Sequence, residues 1–262
     1  MLQDLLNNTD IEYPESDGQP MADNTLQFRW IVTIKENLEI CFAHQPHVFV
    51  AGDLLWYPVQ GQNRICQAPD VLVVFGRPKG ERGSYKQWEE DNIPPQVVFE
   101  VLSPSNHPLE MQNKLLFYQK HGVQEYYMYS PHRNQLAGAL RRGDLLESIE
   151  QMDGWISPLL NIRFQLLPDT LEIYTASGRK FLTPVELNEV REQERQRAEQ
   201  ERQRAEQERQ RAEQAMQELE QEKQRTEQEK LRADTALEEL SQERQRYQAL
   251  LEQLKARGIE MD

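Results

Sequence analysis

A seven-residue repeat restricts the last third of this chain to one kind of structure. QERQRAE occurs three times in succession, and no proline or glycine lies between Pro184 and Gly258. Before the repeat, Thr183 can cap a helix, Pro184 suits its first position, and Glu186 can complete a capping box. We therefore expect a single helix over residues 183–262, about 110 Å long at about 1.5 Å per residue.

Two structures are compatible with this helix. Its heptad seam is poor at first, with alanine opposite arginine, and becomes more apolar after residue 237. One possibility is a dimeric coiled coil, and hence a homodimer. The other is a single solvated helix held by charge pairs three and four residues apart. In the coiled coil the contacts come mainly from Leu237, Leu240, Tyr247, Leu251 and Leu254.

Composition limits the class of protein. No apolar run approaches the roughly 20 residues of a membrane span, and MLQDLLNNTD lacks the features of a secretory signal. Cys41 and Cys66 show no metal-ligand spacing, so we expect reduced thiols and a cytoplasmic protein without membrane contact. The net charge is −14, of which −9 falls on residues 1–186. This balance disfavours broad, non-specific nucleic-acid binding but leaves room for a local basic loop.

The remaining residues, 1–182, have the pattern of one α/β domain. A helix is expected from about Leu26 to Ala43, where Leu26, Trp30, Ile34 and Leu38 form an apolar stripe. The order of helix, three strands, helix and strand predicts an α/β sandwich with a mixed sheet. The expected strands are 47–59, 68–76, 96–102 and 124–131, the second helix is 108–121, and further strands fill 135–182 with a turn at Ser177-Gly178.

One carboxylate is out of place in this pattern. Glu100 lies inside the apolar strand PQVVFEVL, where an unpaired charge would cost several kcal/mol. Asp70 begins the preceding strand, and if the two strands are neighbours both carboxylates can point into one cleft. Two such groups repel unless a cation joins them. Mg²⁺ (or Mn²⁺) suits this setting, with the backbone carbonyl of Val101 as a third ligand.

A lysine is available to complete the site. Lys114 lies on the helix after the Glu100 strand, and Glu110, four residues earlier, can orient it. Met111, Leu115 and Tyr118 form the core face of that helix. Each of these charged residues alone has an ordinary structural explanation, as a turn residue, a salt-bridge partner or a solvated lysine. It is their order along the chain that predicts a catalytic site of Asp70, Glu100 and Lys114.

The long loop before the Glu100 strand is the best local basic patch. Tyr85 and Trp88 offer aromatic faces on which bases can stack. The loop is therefore a candidate for nucleic-acid binding, and the alternative is an ordinary solvated surface loop. Its basic residues are Arg77, Lys79, Arg82 and Lys86.

Three separated motifs resemble the Uma-two family, a branch of the PD-(D/E)XK nuclease superfamily. They are the PD at Asp70, then FEVLSPSN, then KLLFYQKHGVQEYYMYSP, and the resemblance covers roughly residues 12–175. It implies that Asp70 and Glu100 are the motif acids. Leu102 replaces the usual motif lysine, which in this family moves to the next helix, at Lys114. Glu110 stands where the family has aspartate.

The resemblance also extends to the N-terminal segment and to function. Asp17-Gly18 resembles an Asp-Gly pair of the family. The glutamate that usually precedes this pair is not in register here, and Glu15 is the candidate substitute. The implied fold is a restriction-endonuclease-like mixed-sheet sandwich followed by the long C-terminal helix. The implied function is a metal-dependent endonuclease that hydrolyses phosphodiester bonds, with DNA as partner. The alternative is a catalytically inactive nuclease-fold interaction module that oligomerises through its C-terminal coiled coil.

Overall fold

A computed structural model describes residues 11–256 of the chain. The segment MLQDLLNNTD and Gly258, the expected end of the tail helix, lie outside the described residues. The elements are α1 Thr25–Cys41, β1 Val48–Gly52, β2 Trp56–Tyr57, β3 Val71–Phe75, β4 Tyr85–Lys86, a 3-10 turn Gln87–Glu89, β5 Val97–Val101, α2 Pro108–Lys120, β6 Glu125–Ser130, β7 Gln135–Arg142, β8 Leu145–Ser148, β9 Arg163–Leu166, β10 Leu171–Tyr174 and α3 Pro184–Ala256.

Six strands form a mixed sheet in the order β1-β3-β5-β6-β7-β8. Among the described strands of this sheet, only the β5–β6 pair is parallel, and α2 provides the crossover that a parallel connection needs. The other neighbours in this sheet are antiparallel. The predicted α/β architecture with a mixed sheet is therefore confirmed. The sheet places β3, which begins directly after Asp70, beside β5, which contains Glu100.

Each face of the sheet has its own hydrophobic core. One core combines α1, the β9–β10 hairpin and alternate residues of the central strands, including Val71, Phe99 and Val101. The other lies under α2 and the small β2–β4 pair, and includes Leu72, Val98 and Tyr118. Because side chains alternate along a strand, neighbouring residues of β5 enter different cores.

The segment predicted as one strand over 47–59 is two strands, β1 and β2, on different sheets. Asp53 lies between them in the left-handed region, with φ 49°, which aspartate tolerates better than most residues. Its backbone N–H donates to the carbonyls of Pro69 and Asp70. The chain therefore turns here, next to the start of β3.

α1 begins one residue earlier than predicted and is tied to the end of the domain. The Asn24 side chain accepts hydrogen bonds from the N–H groups of Leu26 and Gln27 and caps the helix. On its buried face, the Asn37 amide donates to the Leu182 carbonyl at 2.7 Å and accepts from its N–H at 3.1 Å. This pairing fixes the segment that leads into α3.

α3 has the predicted start. The Thr183 N–H donates to Glu186 Oε2 at 2.8 Å, and the Glu186 N–H donates to Thr183 Oγ1 at 3.3 Å, which is the expected capping box. By internal contacts, the chain divides into residues 1–190 and 191–262. The long helix is confirmed over its described part, whereas its pairing into a coiled coil stays a prediction. No helix among the described residues is long and apolar enough to cross a membrane.

Candidate active site

Glu100 is almost fully enclosed, with 3% of its surface exposed. Its strand neighbours Phe99 and Val101 enter the α1 core, so Glu100 points to the α2 face of the sheet. There the Lys114 ammonium lies 2.8 Å from Oε2, and the Tyr118 hydroxyl donates to Oε1 at 2.5 Å. These two donors compensate the buried carboxylate.

α2 positions both donors through its helical period. Lys114 and Tyr118 are four residues apart and therefore lie on the same face of the helix. Met111 and Tyr118 are buried, and Leu115 is half-buried beside them. The expected core face of α2 is thus present. The Lys114 side chain, 16% exposed, lies between this core and the surface.

Asp70 lies directly across from this pair. β3 and β5 are antiparallel with Val71 opposite Phe99, so the register, continued by one residue, sets Asp70 opposite Glu100. The Val101 N–H donates to Asp70 Oδ2 at 2.5 Å. Asp70 is buried, with 9% of its surface exposed. The structure therefore brings together Asp70, Glu100 and Lys114.

The electrostatics of the three groups are linked. Burial and the nearby charge of Glu100 raise the pKa of Asp70 well above its usual range, against the Val101 N–H and Lys114. Burial also raises the pKa of Glu100, against Lys114 and Tyr118. Burial alone would lower the pKa of Lys114, but Glu100 and Asp70 raise it. Lys114 is therefore a cation at neutral pH that pairs with Glu100, and its charge also acts on Asp70.

A cleft of about 350 Å³ opens at Asp70 and Lys114. Among residues 11–256, Lys114 is the only lysine or arginine that lines it, against five carboxyl groups, so negative charge is in excess. Burial and Asp17 raise the pKa of Asp53, against Lys114. The carboxyl residues are Asp17, Asp23, Asp53, Asp70 and Glu110.

The donor set suits a hard divalent cation held by few protein ligands. Within residues 11–256, no three His, Cys, Asp or Glu side chains are grouped closely enough to bind one ion. Mg²⁺ is commonly held by one or two carboxylates, with water and substrate phosphate completing its shell. Asp70 and Glu100 satisfy that requirement, and a cation would offset the charge that raises the pKa of Asp70.

The Val101 backbone carbonyl, predicted as the third metal ligand, already accepts a hydrogen bond. The Gln27 amide donates to the Val101 carbonyl at 2.8 Å, which leaves one lone pair of that oxygen. Gln27 Oε1 in turn accepts from the Asp23 N–H at 2.8 Å. The Asp23 carboxylate accepts from the hydroxyls of Ser103 and Ser105. The SPS turn after β5 is thus fastened to the entrance of the cleft.

Sequence reasoning missed three contributors to this site. Tyr118 was expected only as a core residue, and its position four residues after Lys114 was the available signal. Asp53 and Gln27 carry no motif, because the turn after β1 and the start of α1 approach the site only in the folded chain. Of the N-terminal candidates, Asp17 is one of the cleft-lining residues and Glu15 is not.

The basic loop has little free positive charge. Arg77 and Arg82 both bind Glu90, at 2.7 and 2.6 Å, and Arg77 also contacts Asp91. Lys79 lies 2.9 Å from Glu39, and Lys86 lies 3.6 Å from Glu89. Nucleic-acid binding by these four residues stays a prediction, but the charge on which it was based is largely offset.

The two aromatic residues of that loop differ in their exposure to solvent. Tyr85 is fully buried, and its hydroxyl donates to the Ile93 carbonyl at 2.7 Å. The expectation that it stacks on bases is therefore wrong. Trp88 is half-buried and packs against Tyr13, with ring centroids 4.9 Å apart.

Comparison with known proteins gives a family and similarity to solved structures. The family model described as "Uma2: Putative restriction endonuclease" matches residues 2–167. A crystal structure from Anabaena variabilis, described as a "putative nuclease belonging to DUF820", is similar at 16% identity and a TM-score of 0.38. The similarity covers 60% of this chain and 87% of that one. No curated protein matches the chain.

Proposed function

This chain belongs to the Uma2 (Uma-two) family, and we propose that it is a divalent-metal-dependent endonuclease that hydrolyses phosphodiester bonds in DNA. The observation that supports this most is the buried Glu100, which binds Lys114 at 2.8 Å and lies opposite Asp70 beside an acidic cleft. Burying two carboxylates with one lysine costs stability. A function that uses their charge explains why the arrangement is present.

Asp70 and Glu100 would hold the metal ion, with the free lone pair of the Val101 carbonyl as a further ligand. When bound, Mg²⁺ or Mn²⁺ supplies a polarised phosphate and a water of lowered pKa. The ion would also remove the reason for the raised pKa of Asp70, because it replaces a proton as the compensating charge. Asp53 adds negative charge to the same cleft.

Lys114 acts in this proposal as a fixed cation and not as a base. Its raised pKa keeps it protonated at neutral pH. From the cleft wall its ammonium can orient the attacking water and offset charge that develops on the phosphate. Tyr118 is a positioning residue, because its hydroxyl holds the other oxygen of Glu100.

Nicking of supercoiled plasmid tests the proposal. We expect the purified protein to nick DNA with Mg²⁺ or Mn²⁺ and to stop when the metal is chelated. Lys114→Met should slow nicking by about 100-fold, the typical loss when one charge-stabilising group is removed. Lys120→Met is the matched control, since Lys120 is an exposed residue at the end of the same helix. Equal loss in both variants, or nicking that persists without metal, would reject the proposal.

Two observations favour the alternative, an inactive interaction module. Both oxygens of Glu100 already have donors, and the long helix exposes Leu237, Leu240, Tyr247 and Leu251. In that case the chain would assemble through α3 and fail to nick DNA under any metal condition. Assembly through α3 alone does not decide between the two proposals, since a nuclease domain can also dimerise through its helix; the nicking assay decides between them.

A further inference from the structure

A second cavity adjoins the acidic cleft on the α2 face of the sheet. Its volume is about 760 Å³, within the range of roughly 300–1,000 Å³ for small-molecule sites. Asn106, in the turn after β5, lines both the cavity and the acidic cleft. A molecule that occupies the cavity can therefore extend past Asn106 toward Asp70 and Lys114.

The cavity has the opposite charge character to the cleft. None of the residues that line it is acidic, although the protein has a net charge of −14. Arg133 and His132 are exposed at its edge. Within residues 11–256, no carboxylate lies within ion-pair distance of Arg133, in contrast to the arginines of the basic loop. The cavity is thus suited to an anionic ligand.

Its walls also provide separate apolar and polar surfaces. Met111, Leu115 and Met128 contribute apolar side chains, and methionine sulfur packs well against aromatic rings. Gln112 and Gln135 contribute exposed amides that can bind polar edges. A flat ring with polar edges and an attached phosphate is the ligand that fits all three features.

We propose that this cavity binds the base of one unpaired DNA nucleotide whose neighbouring phosphate enters the acidic cleft. The inference rests on the proposed nuclease function and assigns its substrate class. A base inside a duplex cannot reach such a pocket without unstacking, which costs a few kcal/mol. The protein therefore prefers single-stranded DNA, or unpaired positions in a duplex, over fully paired DNA.

Equilibrium binding of fluorescent DNA tests this assignment independently of cleavage. The probes are a short single-stranded oligonucleotide and a fully paired duplex of the same sequence, in Ca²⁺ buffer. We expect the single strand to bind at least about fivefold more tightly, in line with the usual gain from one base contact. A gel of the recovered probe reports any cleavage separately.

Two pocket variants and one control locate the binding site. Arg133→Glu removes the cation at the edge, and Ala137→Phe fills the cavity from an exposed strand position. Each should weaken single-strand binding about fivefold or more and leave duplex binding unchanged. Arg142→Glu makes the same charge change at the other end of β7, on an exposed side chain, and should have no such effect. Melting curves verify that each variant is folded.

Several results would overturn the assignment. Equal affinity for both probes, no binding of either probe, or normal single-strand binding by both pocket variants excludes a base-binding cavity. Tighter binding of an RNA strand of the same sequence excludes DNA as the preferred substrate. If the protein nicks DNA but the pocket variants bind normally, only this inference fails. If single strands bind through the pocket and no DNA is cleaved, only the nuclease proposal fails.

Discussion

At the scale of single residues, the site is defined by an imbalance around Asp70. Glu100 has two dedicated donors, Lys114 and Tyr118, whereas Asp70 has one backbone N–H. Within the described part of the chain, Lys114 is the only lysine or arginine lining the cleft; it pairs with Glu100 and acts on Asp70 through its charge alone. In the metal-free protein, Asp70 is therefore the group whose ionisation is least compensated.

Asp70→Asn should stabilise the metal-free protein at neutral pH. The raised pKa of Asp70 means that the folded state keeps a proton that the unfolded chain loses near pH 4. The stability from this group is complete below that pH and is lost as the pH rises through the folded pKa. Asparagine has no charge and can still accept from Val101. Thermal melting in a chelator should show the two proteins alike at pH 4 and the variant higher at pH 7.

Metal ions should favour the wild type over Asp70→Asn. Mg²⁺ should raise the melting temperature of the wild type more than that of Asp70→Asn, because ligand binding stabilises only the protein that binds. Asp153→Asn is the matched control, since Asp153 also accepts a backbone N–H but is exposed. Its melting temperature should rise with Mg²⁺ as much as that of the wild type. An Asp70→Asn protein that is less stable than the wild type at both pH 4 and pH 7, without metal, would refute the proposed lack of compensating charge at Asp70.

Tyr118→Phe tests the hydrogen bond that the sequence did not reveal. The change removes one donor from a buried carboxylate and should cost about 1–3 kcal/mol in the free energy of unfolding. Tyr126→Phe is the control: Tyr126 is also buried on this face, but its hydroxyl makes only a 3.9 Å contact to Met128 Sδ. If chemical denaturation shows the same loss of unfolding free energy in Tyr118→Phe and Tyr126→Phe, the hydrogen bond to Glu100 contributes no additional stability.

At the scale of elements, helices and strands with a regular sequence pattern could be predicted, whereas backbone turns and contacts without a sequence motif could not. The apolar stripes gave α1 and α2, and the PD and EVLSPS segments gave β3 and β5. Asp53 breaks the segment predicted as one strand because its φ is positive, a local feature without a sequence pattern. The pairing of the basic loop could not be predicted, because no motif signals that Glu90 binds both arginines or that Glu39 binds Lys79.

α3 offers an element-scale prediction that is independent of catalysis. Alanine in the first heptads buries little area at about 25 cal/mol per Å², so the seam after residue 237 should hold most of the association energy. The double variant Leu240→Asn/Leu251→Asn should therefore shift the protein from dimer to monomer in sedimentation at tens of micromolar. Leu231→Asn changes an exposed leucine outside the two seam positions and should leave the dimer intact.

A truncated protein and the full-length protein provide two further tests of pairing through α3. Deletion of residues 235–262 should also give a monomer with a folded globular domain, because the Thr183 cap and the Asn37 contacts are retained. A full-length protein that sediments as a monomer would show that α3 is a single helix. The charge pairs already present along it, such as Arg209 with Glu213 at 3.0 Å, would then account for its stability.

At the scale of the whole molecule, the charge distribution supports the proposal that metal ions are needed. The domain is acidic, its basic loop is paired, and its cleft has an excess of carboxylates. DNA is repelled by such a surface unless cations intervene. The account therefore depends on one claim, that the Glu100 carboxylate and a divalent cation form the cleavage site.

The rate of single-turnover DNA cleavage by wild type and Glu100→Gln, in the same Mg²⁺ buffer, tests that claim most directly. The amide keeps the size of the side chain but cannot provide its negative charge to the cation. The account predicts a loss of about 100-fold or more, with a melting curve that shows a folded variant. A folded Glu100→Gln protein that cleaves within about twofold of the wild-type rate would contradict it.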